Sequence, residues 1–375
     1  MNYEQSHRRI ISGQSTGSFP ALLRCLLQVA AVGYSLVVRL RNSLYSKEWL
    51  KTRHVDAAVI CVGNITTGGT GKTPLVASVY KTIVSNSRFQ ISNSQCAILT
   101  RGYKAAENSG NRMQGYSDEI AVLVESCPGA KVIVNPDRVA GATEAINKYG
   151  AKVLIMDDGF QHRRLARDLD IVTIDATQPF GYDKMLPAGL LREPVASLKR
   201  AQAIVITRCD QITQADLDEL ERQLRSIHPD MVVARSIHAP VCVRSADQNC
   251  IDMEELRGKR VFAFCGIGNP EAFLDTVRSP GCELVGSEFY SDHYHYTNDS
   301  LANVCSQAKR LAADLILTTQ KDWTKVSRLA TATRSPPLAY LVVEMRFLTG
   351  EDQLTALIED ALQGRIPERP GDGLK

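Results

Sequence analysis

One glycine-rich turn constrains the fold of this chain more than any other feature. It runs from Thr67 to Thr73, after an apolar run at residues 57–62 and before a helix-compatible run at residues 75–83. A strand, a glycine-rich turn, Lys-Thr and a helix form a P-loop, whose backbone N–H groups and helix N-terminus bind phosphate. Lys72 then reaches the β- and γ-phosphates of a nucleotide, and the Thr73 hydroxyl holds Mg²⁺. The predicted nucleotide-binding residues are Thr67, Gly68, Gly69, Thr70, Gly71, Lys72 and Thr73.

The match to the P-loop pattern is incomplete. The first glycine of G-x-x-x-x-G-K-[ST] falls at Thr66, although Gly68 and Gly69 supply glycine elsewhere in the loop. An ordinary glycine-rich turn is therefore the alternative interpretation. The position of Gly-Lys-Thr between a predicted strand and a predicted helix favours the phosphate site.

Composition narrows the class of protein. A chain of 375 residues is long enough for two domains. Its formal net charge of +3 indicates no strong field for nucleic acid. The ten cysteines form no C-x-x-C pair, which argues against a zinc ribbon and is typical of reduced, cytosolic cysteine.

The N-terminal region differs from the rest of the chain. Residues 1–18 are polar and are predicted to be disordered. An apolar segment at residues 19–38 follows, and its uncharged part, Cys25 to Val38, is short for a membrane span. This pattern, followed by basic residues, predicts a helix lying on an anionic membrane surface. A helix packed on the core and a signal peptide are the alternatives. The basic residues are Arg39, Arg41, Lys47, Lys51 and Arg53.

Short β-branched runs alternate with helix-length segments, which predicts an α/β fold with a P-loop NTPase-type parallel sheet and a second, smaller α/β domain. The first set of predicted strands is 57–62, 96–100, 131–134, 153–157, 170–174 and 203–207. The second set is 231–235, 260–265, 284–289, 315–319 and 338–343. A candidate linker at 236–248 lies between the first and second strands of this set. The predicted divisions are a disordered tail at 1–18, an amphipathic helix region at 19–54, a P-loop core at 55–238, a smaller α/β domain at 239–345, and a C-terminal helix with a loose tail at 346–375.

Two adjacent acids end an apolar run. Asp157 and Asp158 follow Val153 to Met156, the arrangement of a Walker-B strand that brings a carboxylate beside the P-loop to hold Mg²⁺. Successive side chains of a strand point to opposite faces, so one acid is expected to meet the metal and the other to act through water or a second hydrogen bond. A surface turn is the alternative interpretation of Asp-Asp-Gly.

Taken together, the motifs resemble the tetraacyldisaccharide 4′-kinase family, the lipid A 4′-kinases of Gram-negative-type outer-membrane synthesis. The resemblance covers about residues 20–345. It departs at Ser117 and Ile120, where the family has G-D-E-P, and at Gln320, where it has Glu. The motifs are 63–64 with 68–74, Thr100-Arg101-Gly102-Tyr103, Ser117-Asp118-Glu119, 157–162, 186–194, 266–270, Asp292-His293-Tyr294 and 318–322.

The resemblance implies a reaction. ATP, with Mg²⁺, would donate its γ-phosphate to the 4′-hydroxyl of tetraacyldisaccharide 1-phosphate to give lipid IVA. The enzyme would act as a peripheral protein, and as a monomer, on an anionic membrane surface at the cytoplasmic face of the inner membrane. No nucleic-acid partner is expected.

The resemblance also implies site residues. Asp118 would accept the proton of the sugar hydroxyl, paired with His293 from the second domain, so that closure of the domains would bring them together. Glu193 would join the Mg²⁺ ligands Thr73, Asp157 and Asp158, and a structural salt bridge is the alternative for Glu193, Arg138 and Arg192. The implied substrate residues are Arg101, Tyr103, Glu119, Arg138, Gln161, His162 and Arg192.

Two other classes of protein remain open from the residues. A soluble P-loop NTPase could use hydrolysis to switch or drive a partner, but it needs neither the apolar N-terminal helix nor Asp118 with His293. A membrane-associated nucleotide-binding scaffold without turnover would require that Lys72 or Asp158 be dispensable.

Overall fold

The computed structural model describes residues 3–102, 118–245, 249–292, 294–327, 329 and 335–364. The chain forms two compact units. The first unit comprises Met1–Tyr103, Ser126–Ile237 and Phe347–Lys375, and the second comprises Lys104–Glu125 and His238–Arg346.

Helices and strands alternate along most of the chain. The helices are α1 (Tyr3–Ile11), α2 (Ser18–Ser46), α3 (Lys72–Ser85), α4 (Asp118–Ser126), α5 (Arg138–Tyr149), α6 (Gln214–Ile227), α7 (Pro270–Arg278), α8 (Asn298–Arg310), α9 (Gln320–Val326) and α10 (Glu351–Leu362). The strands are β1 (Ala58–Gly63), β2 (Cys96–Thr100), β3 (Lys131–Val134), β4 (Val153–Asp157), β5 (Leu169–Asp175), β6 (Ala203–Thr207), β7 (Val232–Ser245), β8 (Cys250–Asp252), β9 (Arg260–Cys265), β10 (Glu283–Phe289), β11 (Leu315–Thr319) and β12 (Leu338–Thr349).

The first unit contains a parallel sheet in the order β7-β6-β5-β1-β4-β2-β3. The central strands β4, β5 and β6 are buried at every position, as expected for a parallel sheet covered on both faces. The predicted α/β fold class is therefore confirmed. Because the carboxyl ends of parallel strands meet at one edge, the segments after β1 and β4 lie close together.

The second unit has its own parallel strands, in the order β10-β9-β11-β12. Alternate residues of β9 enter two apolar clusters: Val261 and Ala263 contribute to one, Phe262 and Phe264 to the other. Successive side chains of a strand point to opposite faces of the sheet, so the two clusters lie on opposite faces and cover both of them. The sequence predicted this smaller α/β region.

Three differences from the sequence-based divisions concern the borders of the units. Residues 236–248 do not begin as a linker, because β7 continues to Ser245 and pairs antiparallel with β8. Residues 104–125, predicted in the P-loop core, belong to the second unit. Helix α10, predicted to stand apart, belongs to the first unit and packs on β1 and β5. The long strands β7 and β12 each start in one unit and end in the other, which local sequence patterns do not reveal.

The prediction of reduced cysteine is wrong at one pair. Cys242 and Cys250 form a disulfide across the β7–β8 hairpin, because the antiparallel register places the two strands side by side. The other eight cysteines are free thiols.

The N-terminal region is more ordered than the sequence suggests. Residues 3–11 form α1 rather than a disordered tail, and Ile11 is buried. Helix α2 is 29 residues long and, by length and composition, is the one helix in the described part of the chain that could cross a membrane. Only Ala31 and Val38 of α2 are buried, so the helix contacts the rest of the unit along one side and most of its surface is exposed.

Candidate active site

The phosphate loop joins β1 to α3 as predicted. Gly71 ends the loop in the left-handed conformation (φ +85°), which glycine adopts without strain, and Lys72 is the first residue of α3. The Thr70 hydroxyl accepts a hydrogen bond from Asn64 (2.9 Å) and lies 2.8 Å from the Thr173 hydroxyl. These contacts fix the loop to β5 and to the residue that follows β1, and such preorganisation favours phosphate binding.

Two residues that were not predicted to bind nucleotide also form hydrogen bonds with the loop. Arg208 donates a hydrogen bond to the carbonyl of Gly69 (2.9 Å) and forms an ion pair with Asp175. The hydroxyl of Thr207 donates to the carbonyl of Thr70 (3.1 Å). Thr207 ends a predicted strand and Arg208 follows it. This position could have indicated that both residues lie at the same edge of the sheet as the loop.

Asp158 lies opposite Lys72 at this edge. Its carboxylate is 3.5 Å from the Lys72 ammonium and accepts hydrogen bonds at 2.9 Å from Arg192 on both oxygens. Burial disfavours its charged form, but Lys72 and Arg192 outweigh burial and lower the pKa of Asp158 to about 2. Lys72, Asp158 and Arg192 are therefore brought together, with Asp158 ionised at neutral pH.

Asp157, the last residue of β4, is nearly buried and accepts a weak hydrogen bond from Thr100 (3.4 Å). Arg138 donates to the backbone carbonyl of Asp157 (3.1 Å) and is 3% exposed. Burial lowers the pKa of Arg138, and nearby Asp157 and Asp158 partly offset that effect. The predicted Arg138 and the acid pair thus share one region.

The oxygen donors at this edge fit Mg²⁺. No group of three or more His, Cys, Asp or Glu side chains among the described residues is placed to hold a metal ion. Thr73, Asp157 and Asp158 would therefore leave most coordination positions to phosphate oxygens and water, which is the usual mode of Mg²⁺ binding beside a nucleotide.

The segment after β4 packs tightly on the start of the loop. A β-carbon at Gly63 would lie 2.5 Å from that of Phe160, so this position requires glycine. Gln161 donates to the carbonyl of Asn64 (2.7 Å), and Arg192 lies 3.4 Å from the Gln161 side-chain oxygen. Gln161 therefore links Arg192 to the loop entry.

His162 and Arg101 lie on the Arg138 side of this region. Burial lowers the pKa of His162 to about 4, with further lowering by the charges of Arg138 and Arg167. His162 is therefore neutral at physiological pH. Arg101 is exposed, and its charge contributes to the lowered pKa of Arg138.

Glu193 is not placed as the predicted metal ligand. It is fully buried, and its carboxylate accepts hydrogen bonds from Arg41 (3.0 Å), Asn42 (3.1 Å) and Arg200 (2.8 Å). Both oxygens are occupied by these donors, so the structure favours the structural salt bridge that was the alternative. The network joins α2 to residues 193–200 of the same unit.

A second cluster of charged residues lies in the second unit. Asp118, the first residue of α4, is nearly buried and lies 2.9 Å from Lys325, while Lys321 lies 3.0 Å from Asp292 and 3.7 Å from Glu119. Burial opposes the charge on Lys321, but Asp292, Glu119 and Asp118 outweigh it and raise the pKa of Lys321. Three motifs that are far apart in sequence therefore meet around Asp118.

Sequence reasoning missed Lys325 and the role of Asp322. Asp322 is fully buried and accepts hydrogen bonds from the Gly266 N–H (2.9 Å) and the Thr319 hydroxyl (2.7 Å), so it joins α9 to the end of β9. Lys325 follows Lys321 by one helical turn, and this i, i+4 spacing was the available signal. Tyr103 and His293 lie outside the described residues.

Comparisons with known proteins point to one family. The family model for LpxK, described as tetraacyldisaccharide-1-P 4′-kinase, matches residues 23–363. A tetraacyldisaccharide 4′-kinase of Anaeromyxobacter sp. (strain K) is 33% identical over 365 residues, covering 94% of this chain and 95% of the relative. Another from Halothermothrix orenii is 33% identical, covering 81% and 83%. The crystal structure of LpxK from Aquifex aeolicus in complex with ATP is similar with a TM-score of 0.68 and 25% identity, covering 91% of this chain and 99% of that one. The chain therefore belongs to the tetraacyldisaccharide-1-P 4′-kinase family.

Proposed function

We propose that the loop Thr67–Thr73 and the Asp157–Asp158 pair carry the chemistry of the family's reaction in this chain. That reaction is ATP-dependent phosphorylation of the 4′-position of tetraacyldisaccharide 1-phosphate in lipid A biosynthesis. The observation that supports the assignment most directly is the Lys72 ammonium at the N-terminus of α3, 3.5 Å from the Asp158 carboxylate.

Phosphoryl transfer depends on positioning and charge neutralisation more than on covalent help from the protein. The loop amides and the N-terminus of α3 would bind the phosphate chain, and Lys72 would move from Asp158 toward the transferring phosphate. Bound Mg²⁺, held by Thr73 with Asp157 and Asp158, would neutralise charge on the phosphate oxygens. Arg192, already fixed by Asp158, and Arg138 would hold anionic groups of ATP or of the substrate.

The sugar hydroxyl needs a proton acceptor. We assign this role to Asp118, with His293 as its partner. Lys325 (2.9 Å) and Lys321 (3.9 Å) support the assignment by geometry, because their ion pairs hold the Asp118 carboxylate in a defined position. Arg101, Tyr103, Glu119, Gln161 and His162 remain assigned to the substrate side.

Helix α2 supports peripheral membrane association. Eight of its large apolar side chains are more than half exposed, and water-exposed apolar surface of this extent marks an interaction surface. We assign the protein to the cytoplasmic face of the inner membrane as a monomer, where ATP and the acylated disaccharide are both accessible. The exposed residues are Phe19, Leu22, Leu26, Val29, Val32, Leu36, Val37 and Leu40.

A transfer assay tests this function. Purified protein is incubated with γ-labelled ATP and the disaccharide 1-phosphate in detergent micelles, and labelled lipid is measured. We expect labelled lipid with the intact protein and less than about a tenth of that rate with Lys72→Ala, because Lys72 meets the charge that develops in the transition state. Lys81→Ala is the matched control, an exposed lysine of the same helix.

Two results would contradict the proposal. One is phosphate release without lipid labelling, which indicates a hydrolytic NTPase. The other is a Lys72→Ala variant, folded by circular dichroism, that retains the rate of the Lys81→Ala control.

A further inference from the structure

Helix α1 precedes the segment that matches the family, which begins at residue 23. Helix α1 nonetheless contacts other parts of the first unit. Ile11 is buried, the Nε2 atom of His7 donates to the carbonyl of Pro187 (3.0 Å), and Arg24 of α2 donates to the carbonyl of Ser15 (2.8 Å), which fixes the turn between α1 and α2. These contacts hold α1 in one orientation.

This orientation places Arg8 beside the phosphate loop. Gly68 has φ of +115°, and a β-carbon there would have the Nη2 atom of Arg8 as its nearest neighbour, at 3.9 Å. A β-carbon at Gly69 would meet no heavy atom of the described residues within 4 Å. The guanidinium therefore lies beside an open, side-chain-free face of the loop.

The chemistry of this face suits a phosphate group. A guanidinium presents paired N–H donors that match phosphate oxygens, and it stays charged at all physiological pH values. Lys72 and Arg192 both contact Asp158, so part of their charge is balanced by a carboxylate. A multiply charged phosphate chain is stabilised by a further cation beside the loop.

We propose that Arg8 is a nucleotide-binding residue, which α1 supplies to the phosphate chain of ATP from before the segment that the family model matches. The proposal rests on the ATP site described above. Arg8 would bind phosphate oxygens and restrict the motion of the chain before transfer. The neighbouring Arg9 is exposed and points away by about 100°, the rotation between successive helical residues.

The test measures equilibrium binding of a non-hydrolysable ATP analogue with Mg²⁺ to the full chain, without lipid. We expect Arg8→Gln to weaken binding about tenfold, the usual worth of a charge-assisted hydrogen bond. Arg8→Lys should be intermediate, because it keeps the charge but not the paired donors. Arg9→Gln, the matched control, should bind within about twofold of the unchanged protein, since an exposed charge contributes little.

A second measurement uses the unchanged protein and does not depend on the folding of a variant. Amide hydrogen exchange in residues 3–11 should slow when the analogue is added, because the ligand would tie α1 to the loop. Unchanged exchange there, or Arg8→Gln binding as tightly as the control or more tightly, would overturn the proposal. Because no lipid is present, these results are independent of whether the acceptor is the disaccharide.

Discussion

At the scale of single residues, two carboxylates of the first unit differ in the groups that surround them. Asp158 is ionised beside Lys72 and Arg192 at the edge of the sheet, whereas Glu193 is buried among Arg41, Asn42 and Arg200. The first arrangement can exchange its partners for phosphate and metal, because the carboxylate is partly exposed. The second cannot do so without separating Glu193 from both Arg41 and Arg200.

The structural role of Glu193 can be tested by Glu193→Gln. We expect the free energy of unfolding to fall by about 2–4 kcal/mol, less than for a fully buried pair because Arg41 is partly exposed. The Mg²⁺ concentration for half-maximal activity should be unchanged. Glu219→Gln, which breaks an exposed ion pair with Arg222, should cost under about 1 kcal/mol. A shifted Mg²⁺ requirement with unchanged stability would restore Glu193 as a metal ligand.

His162 makes stability depend on pH. Its pKa is about 4 in the folded protein and near 6.5 when unfolded, so the unfolded chain binds more protons between these values. Stability should therefore fall as pH drops from about 6.5 toward 4, with uptake of up to about one proton on unfolding. His162→Gln should reduce this dependence in urea unfolding measured across that range, while His54→Gln, at an exposed site, should not. Parallel pH profiles for His162→Gln and the unchanged protein would contradict the lowered pKa.

At the scale of elements, α2 is held on one side and open on the other. The Tyr34 hydroxyl donates to the carbonyl of Arg192 (3.1 Å), and Arg41 and Asn42 reach Glu193. The apolar side chains on the rest of its surface are exposed. The helix can therefore present an apolar face while remaining tied to the segment that carries Arg192.

Membrane association through α2 can be tested by Val29→Glu, at a position that is 74% exposed. The variant should bind anionic liposomes at least about tenfold more weakly, since it removes an apolar side chain and adds a charge of the wrong sign. It should raise KM for the lipid but not for ATP. Gln28→Glu adds the same charge at an exposed polar position and is the matched control. Equal loss of liposome binding by both variants would mean that charge alone, rather than the apolar face, sets the association.

At the scale of the whole molecule, the chain crosses between its two units several times. Residues 118–125 contribute Asp118 and Glu119 to the second unit, and β7 and β12 connect the units again. The expectation that Asp118 belongs to the P-loop core was therefore wrong. Its partners in the described residues, Lys321 and Lys325, are on α9 of the same unit.

The proposed Asp118–His293 pair predicts a specific pattern of rates. Asp118→Asn and His293→Ala should each lower kcat strongly with a modest effect on ATP affinity, and the double variant should be little worse than the worse single variant. The measurement is a double-mutant cycle on kcat at saturating lipid. If the two losses multiply, the residues act independently and the paired model is wrong.

The sequence by itself determined most of the helices and strands and the phosphate loop. Strands such as β4 and β9 were predicted at their observed bounds, because burial on both faces of a parallel sheet leaves a continuous apolar run. The loop before α3 was equally clear, since its glycines, Lys72 and Thr73 act through local backbone geometry. Features of this kind depend on neighbouring residues, so the sequence alone is enough to predict them.

Only the tertiary structure decided which charged residues meet. Asp118 and Lys325 are about two hundred positions apart, and Glu193 pairs with Arg41 of α2 across a similar length of chain. No periodicity predicts such pairs, because they depend on the path of the chain between units and on which cations are buried with each carboxylate. The position of α1 beside Gly68 also depends on contacts with distant residues. A polar segment such as this one is predicted to be disordered from its composition, because its composition does not contain those contacts.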